Sequence, residues 1–259
     1  MDRRALIPHP SPPTGRRKPL GTPRSPCNPH ASYTIRHAHA RARAIGRLRD
    51  LQLDREYGLG TDGAGRPPKS DACGDNWLHG YCYEAIDHDA CSRTLADLGL
   101  RYEDYTSLDL GSGKGRALLL ASAFPFRKMI GVEYNQALHQ VAEQNLLRYP
   151  LNVRRCRQIE AHWGDAAEFE LPEGPLVLFL YNPFGAPVME RVIDNVTASF
   201  HRRPRRIIVI YFCSEHADLW DAVPFLRRVR AGTWPAIFDT SPEANGPGHV
   251  RPQSGDATG

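Results

Sequence analysis

The side chains best suited to chemistry in this sequence are two carboxylates near a run of glycines, and an amide flanked by aromatic rings. Asp109 lies in the apolar stretch SLDL, two residues before the first of three alternating glycines, Gly111, Gly113 and Gly115, in DLGSGKGR. Glycines at such positions let a backbone turn sharply and approach a bound molecule closely, because no Cβ intervenes. The helix after them offers free N–H groups and the positive end of a dipole. Glu133 closes the next apolar stretch, in IGVEYN, 24 positions after Asp109. An acid there can accept hydrogen bonds from both hydroxyls of a ribose. Asp165 follows a third stretch in GDAAEF, and a fourth ends LVLFLYNPFG with Tyr181, Asn182, Pro183 and Phe184 at its tip. Plainer readings compete, since Gly-Asp and Asn-Pro are common turn pairs and Tyr181 and Phe184 could be core aromatics.

Spacing separates the ligand classes that use a glycine loop. A phosphate-cradling loop needs G-x-x-x-x-G-K-[ST], which is absent here. A dinucleotide fingerprint needs G-x-G-x-x-G, whereas the third glycine here comes one residue early. Glu133 does not discriminate by itself, because dinucleotide enzymes place an acid similarly.

The pattern D-x-G-x-G-x-G resembles motif I of the class I S-adenosylmethionine-dependent methyltransferases, and the likeness extends from about Trp77 to Phe212, roughly half the chain. DLGSGKGR, VEYN and LYNPFG together look most like a bacterial branch of that superfamily. There is a looser similarity to the non-SET histone-lysine methyltransferases. The resemblance implies S-adenosyl-L-methionine as cofactor, held by Asp109, Gly111, Ser112, Gly113 and Gly115, with Glu133 on the ribose and Asp165 on the adenine amino group. Tyr83 and Glu84 match an upstream segment that closes over the methionine end, although the glycine between them in that family's pattern is missing. Asn182, Pro183 and Phe184 resemble the [N/D]-P-P-[Y/F] element of amino-group methyltransferases without its second proline, and Tyr181 precedes them. This implies an amine acceptor, a protein lysine or a small-molecule amine, with the Asn side chain accepting from the target nitrogen. No general base stands out: His162 and His216 are lone histidines, and desolvation can help a lysine lose its proton. A nucleic-acid methyltransferase, a binding domain without catalysis and a dehydrogenase remain as alternatives.

These residues need a frame that brings strand ends together. Strands are expected at 106–110, 129–133, 157–161, 176–181 and 206–212, and helices at 34–56, between Asp87 or Asp89 and Gly99, and at 114–124, 136–148 and 187–200. A closing antiparallel hairpin is expected from 225–230 and 234–239. Continuous apolar strands alternating with helices indicate a parallel sheet covered on both faces, a doubly wound α/β Rossmann-like layout. The chain divides into a basic Pro/Arg-rich arm over 1–32, expected to be disordered, a basic amphipathic helix over 33–57, the domain over 58–240 and a disordered tail over 241–259.

Composition bounds the rest. The 259 residues suit one domain with tails. No apolar run approaches the roughly 18–20 residues that a membrane-spanning helix needs, and the N-terminus has no apolar segment behind its basic residues, so a cytoplasmic protein is expected. The net charge of +4 hides an asymmetry: residues 1–50 hold eleven Lys or Arg against two acids. A nucleic-acid contact through this arm is one reading, and a solvated face is the other. Cys27, Cys73, Cys82, Cys91, Cys156 and Cys213 never form a C-x-x-C pair, so inert thiols are expected rather than a zinc site.

Overall fold

The computed structural model of the chain describes residues 51–65, 78–230 and 234–240. The 1–32 arm, most of the 33–57 helix and the 241–259 tail lie outside the described residues; of that helix, 51–57 is seen and is helical. A two-stranded antiparallel ladder joins β1 (Ala64–Gly65) to β2 (Tyr83–Glu84). The main sheet follows as β3 (Thr106–Leu110), β4 (Lys128–Glu133), β5 (Ile159–Trp163), β6 (Leu176–Tyr181), β7 (Ile207–Phe212), β8 (Arg227–Arg230) and β9 (Ala236–Asp239). Interleaved helices are α1 (His88–Asp97), α2 (Arg116–Ala121), α3 (Gln136–Arg148), α4 (Ala186–Arg202) and α5 (Ala217–Asp221).

The seven strands lie in the order β5-β4-β3-β6-β7-β9-β8. The first five are parallel and the last two pair antiparallel. This is the doubly wound sheet with a closing hairpin that the sequence predicts. Strand order reverses between β3 and β6, and their carboxyl ends carry the glycine loop and the Asn182 tip, the place where open α/β sheets collect ligands.

Alternate residues of the central strands feed two cores. Leu176, Leu178 and Leu180 of β6 pack with Val188, Val192 and Trp220 on one face, while Val177 and Phe179 pack with Leu95, Leu118 and Phe212 on the other. Burial on both faces is why these strands read as unbroken apolar runs. α4 has Pro at its first turn, where the missing N–H costs nothing, and buries Val188, Met189, Val192, Val196 and Ser199 at helical spacing. Two other helices are capped by a side chain: Asp87 accepts from the Ala90 N–H at 2.8 Å and Asn135 from that of Leu138 at 2.9 Å.

Several boundaries differ from expectation. β5 pairs Met129 with Ile159, two residues later than read; it is an edge strand with no fully buried residue, so little periodicity marks its register. The helix expected from Lys114 begins at Arg116, because Gly111, Gly113 and Gly115 all hold positive φ and the chain cannot enter a helix before them. β8 starts at Arg227 rather than Phe225. The short α5 and the β1–β2 ladder are additions.

Candidate functional site

The carboxyl ends of β3, β4 and β6 surround a cleft of about 880 Å³, counted to its solvent mouth. Asp109, Gly111, Ser112, Gly113, Glu133 and Asp165 line it together with Tyr181, Pro183 and Phe184, and Tyr83 and Glu84 of β2 line it as well. Gly115 and Asn182 are not on the wall. Gly115, at φ +79, instead lets α2 start against Ala142, whose Cβ would lie 3.2 Å from an added one.

The loop geometry follows from its glycines. Gly111 and Gly113 have φ of +83 and +54; a Cβ on Gly111 would overlap Pro183, and one on Gly113 would overlap the Tyr83 ring. Glu133 ties this loop to the next strand: its Oε2 accepts from the Gly113 N–H at 2.8 Å and its Oε1 from that of Asn135 at 2.9 Å. A carboxylate oxygen can accept more than one hydrogen bond, so both oxygens keep capacity toward the cleft. The Asp165 Oδ1 accepts from the Ala167 N–H at 2.9 Å, which fixes the turn after β5.

Two buried acids beside each other set the electrostatics. Asp109 is 4% exposed and Glu133 3%. Burial, and then the charge of Glu133, push the Asp109 carboxyl up to about 8. Burial pushes Glu133 up to about 7 against the pull of the N–H groups of Asn135, Gly113 and Tyr134. Among the described residues no Lys or Arg forms an ion pair with either; Arg116, which also lines the cleft, is directed to Asp54 at 3.9 Å. The Ser112 hydroxyl is buried and makes no hydrogen bond among the described residues. Buried carboxyls and a hydroxyl left this way hold hydrogen-bonding capacity that the described residues do not use.

The mouth beyond Pro183 is built by a strand-like contact that the sequence did not reveal. Gly80 bridges antiparallel to Phe184, the Tyr81 N–H donates to the Pro183 carbonyl at 3.1 Å, and the Gly185 N–H to that of His79 at 2.8 Å. Tyr81 thereby joins the wall. Its hydroxyl lies 3.3 Å from His216 Nε2, and burial followed by the Glu215 carboxylate raises its pKa to about 12. Asn182 adopts φ +42, which asparagine tolerates better than most residues, and its Oδ1 accepts from the Tyr211 hydroxyl at 3.1 Å. That bond fixes the orientation of the Asn182 amide, whose Oδ1 can still accept a second donor. His162 is paired with Glu160 at 3.2 Å on the edge strand and does not line the cleft.

Tyr81, Tyr134 and Arg116 were missed as wall residues. Only Arg116, next to the last glycine, carried a sequence signal, since a cation at the first turn of a helix works against the dipole and needs a reason. Cys91 and Cys156 are buried thiols outside any disulfide, as expected, whereas Cys82, which lines the cleft, is disulfide-bonded and departs from the expectation of six inert thiols. Among the described residues no helix is long and apolar enough to cross a membrane.

No family model matches the sequence, and no curated protein aligns with it. Solved structures are similar to part of it, at low identity and with TM-scores below 0.5. An RNA methyltransferase from Salinibacter ruber in complex with S-adenosyl-L-homocysteine is 18% identical, TM-score 0.41, over 58% of this chain and 88% of that one. Magnesium protoporphyrin IX methyltransferase from Synechocystis with bound S-adenosylmethionine is 16% identical, TM-score 0.42, over 59% and 76%. A predicted N6-adenine-specific DNA methylase from Listeria monocytogenes is 12% identical, TM-score 0.45, over 60% and 50%; this chain spans about half the length of that protein. These three are described as a methylase and two methyltransferases, and their acceptors differ.

Proposed function

We propose that the cleft binds S-adenosylmethionine and that the chain transfers its methyl group to an amine-type acceptor, a protein lysine among the candidates. The observation that carries this reading is the pair Asp109 and Glu133, buried on neighbouring strand ends around a glycine loop with no ion-pair partner among the described residues. A ligand with a ribose diol, an ammonium group and a sulfonium supplies the hydrogen-bond donors and positive charge that such a site needs. The bound donor presents an electrophilic methyl carbon, so the protein need only align the acceptor and exclude water.

Each wall has a part in that task. Glu133 would accept from the ribose hydroxyls, Asp165 from the adenine amino group, and Asp109 with the Ser112 hydroxyl would meet groups laid along the loop. Tyr83 and Glu84 would close the methionine end. Tyr181, Pro183 and Phe184 would flank the transferring methyl group, while Asn182, oriented by Tyr211, would hold the acceptor nitrogen.

Calorimetric titration with S-adenosylmethionine, S-adenosylhomocysteine and NAD in parallel tests the cofactor class. Micromolar binding of the two sulfur compounds and none of NAD is expected; absence of binding by both sulfur compounds would remove the enzyme reading. Asn182→Ala should leave S-adenosylhomocysteine affinity within about threefold of wild type, since Asn182 is off the cofactor wall, while labelled-methyl incorporation into acceptors of a cell lysate falls by about tenfold or more. Undiminished incorporation would take Asn182 out of the transfer step.

A further inference from the structure

We infer that the segment 54–62, upstream of every motif in the sequence, is a wall support of the cofactor site, and that Asp54 and Tyr83 are positioning residues whose engagement is coupled to cofactor binding. The inference rests on the reading of the cleft as a cofactor site and adds Asp54 and Thr61, which no motif contains, as the supports of Tyr83.

The Tyr83 ring fills the space that a Cβ on Gly113 would occupy, and its hydroxyl donates to the Thr61 carbonyl at 2.5 Å. The Thr61 hydroxyl donates to Asp54 Oδ1 at 2.5 Å and accepts from Arg116 at 2.6 Å. Asp54 Oδ2 accepts from the Asp62 N–H at 2.8 Å, which closes the segment into a loop around one carboxylate. Lys114, inside the glycine loop, donates to the Asp62 carbonyl at 2.6 Å and lies 5.0 Å over the Tyr83 ring. Asn145 bridges the same two pieces of chain, accepting from the Gly60 N–H and donating to the Lys114 carbonyl, both at 2.9 Å.

The support is buried where it meets the site. Thr61 is fully buried and the Arg116 side chain is 2% exposed. Three residues of the cleft wall or loop, Tyr83, Lys114 and Arg116, therefore owe their positions to a segment anchored beyond the cleft mostly by Leu59, in a small cluster with Leu119 and Tyr149. A ligand that packs on Tyr83 and Gly113 favours the docked segment. By thermodynamic reciprocity the docked segment must raise affinity for that ligand by the same factor.

The test uses the full chain, S-adenosylhomocysteine as probe, calorimetry for affinity and amide hydrogen exchange over 59–62. Tyr83→Phe keeps the ring and deletes only the tether to Thr61, and is expected to fold. It should lose affinity by about tenfold, the scale of one buried hydrogen bond. Asp54→Ala should lose at least as much, with Asp54→Asn, which keeps an acceptor for the Thr61 hydroxyl, falling between it and wild type. Arg148→Ala, which cuts an exposed hydrogen bond from α3 to the Gly58 carbonyl of the segment, should stay within about twofold. In wild type the probe should slow exchange of the Gly60 and Asp62 amides. Tyr83→Phe binding within twofold of wild type, or exchange over 59–62 unmoved by a probe that does bind, overturns the coupling and leaves the cofactor reading standing. Wild type failing to bind the probe overturns both.

Discussion

Gly113→Val should abolish S-adenosylhomocysteine binding, with affinity reduced at least about a hundredfold, and should lower Tm by roughly 4–10 °C. Two separate penalties meet at this position. The backbone holds φ +54, where a β-branched residue is strained by about 1–3 kcal/mol. The new Cβ would fall inside the Tyr83 ring, which is tethered through its hydroxyl to Thr61 and cannot swing away without breaking that bond. Each kcal/mol moves Tm by about 2–4 °C for a domain of this size, so a strain of about 2–2.5 kcal/mol, toward the upper part of that interval, gives the range stated. The binding loss is the larger effect, because the Gly113 N–H that orients Glu133 shifts with the backbone. Gly164→Ala is the control: nothing lies within 4 Å of its added Cβ and its φ is not positive, so affinity and Tm should both be near wild type. Retained affinity in Gly113→Val, measured by calorimetry beside that control, would remove the loop from the binding site.

What the sequence could reveal followed from the physics of each element. β6 and β7 were legible because both their faces are buried, so LVLFLY and IIVIYF admit no polar interruption. The glycine loop was legible because positive φ at alternate positions leaves glycine as the unstrained residue. Tyr83 and Glu84 reach the cleft even though the family's intervening glycine is missing. β5 was displaced by two residues because an edge strand with half-exposed side chains carries no clear alternation. The Gly80–Phe184 bridge and the Asp54–Thr61–Arg116 cluster were illegible for another reason. They join positions about 55 to 105 residues apart through one or two hydrogen bonds each, and such pairing leaves no periodic trace. Asn182 shows the limit from the other side: the residue type suggested a side chain on the wall, but nothing in it foretold the positive φ or the Tyr211 hydroxyl that orients the amide beside the lining residues.

Affinity for S-adenosylmethionine should rise with pH from about 6 to about 8 and level off above that. Asp109 and Glu133 have pKa values of about 8 and about 7 in the free protein, raised chiefly by burial. At pH 6 both are largely neutral, and a cationic ligand must drive off their protons. If binding selects the doubly charged form, affinity gains approach a hundredfold per pH unit below about 7, fall to about tenfold between about 7 and 8 and fade above that. S-adenosylhomocysteine, which lacks the sulfonium charge, should show a shallower slope. Stability of the free protein should move the opposite way. Both folded pKa values stand above the unfolded values of about 4, so the contribution of these two groups is fully present below about pH 4 and is lost as pH rises through 7 and 8. The Tm of the free protein should therefore fall over that window while the increment from added S-adenosylmethionine grows. Asp109→Asn cannot acquire the charge; it should flatten the upper part of the affinity profile and remove part of the fall in Tm. Calorimetry and thermal melts between pH 5.5 and 9 in one buffer series at constant ionic strength read all of these. An affinity that is level or falling across the series would mean that the paired carboxylates do not face the donor's positive charge, and the assignment of Asp109 to the cofactor would fall with it.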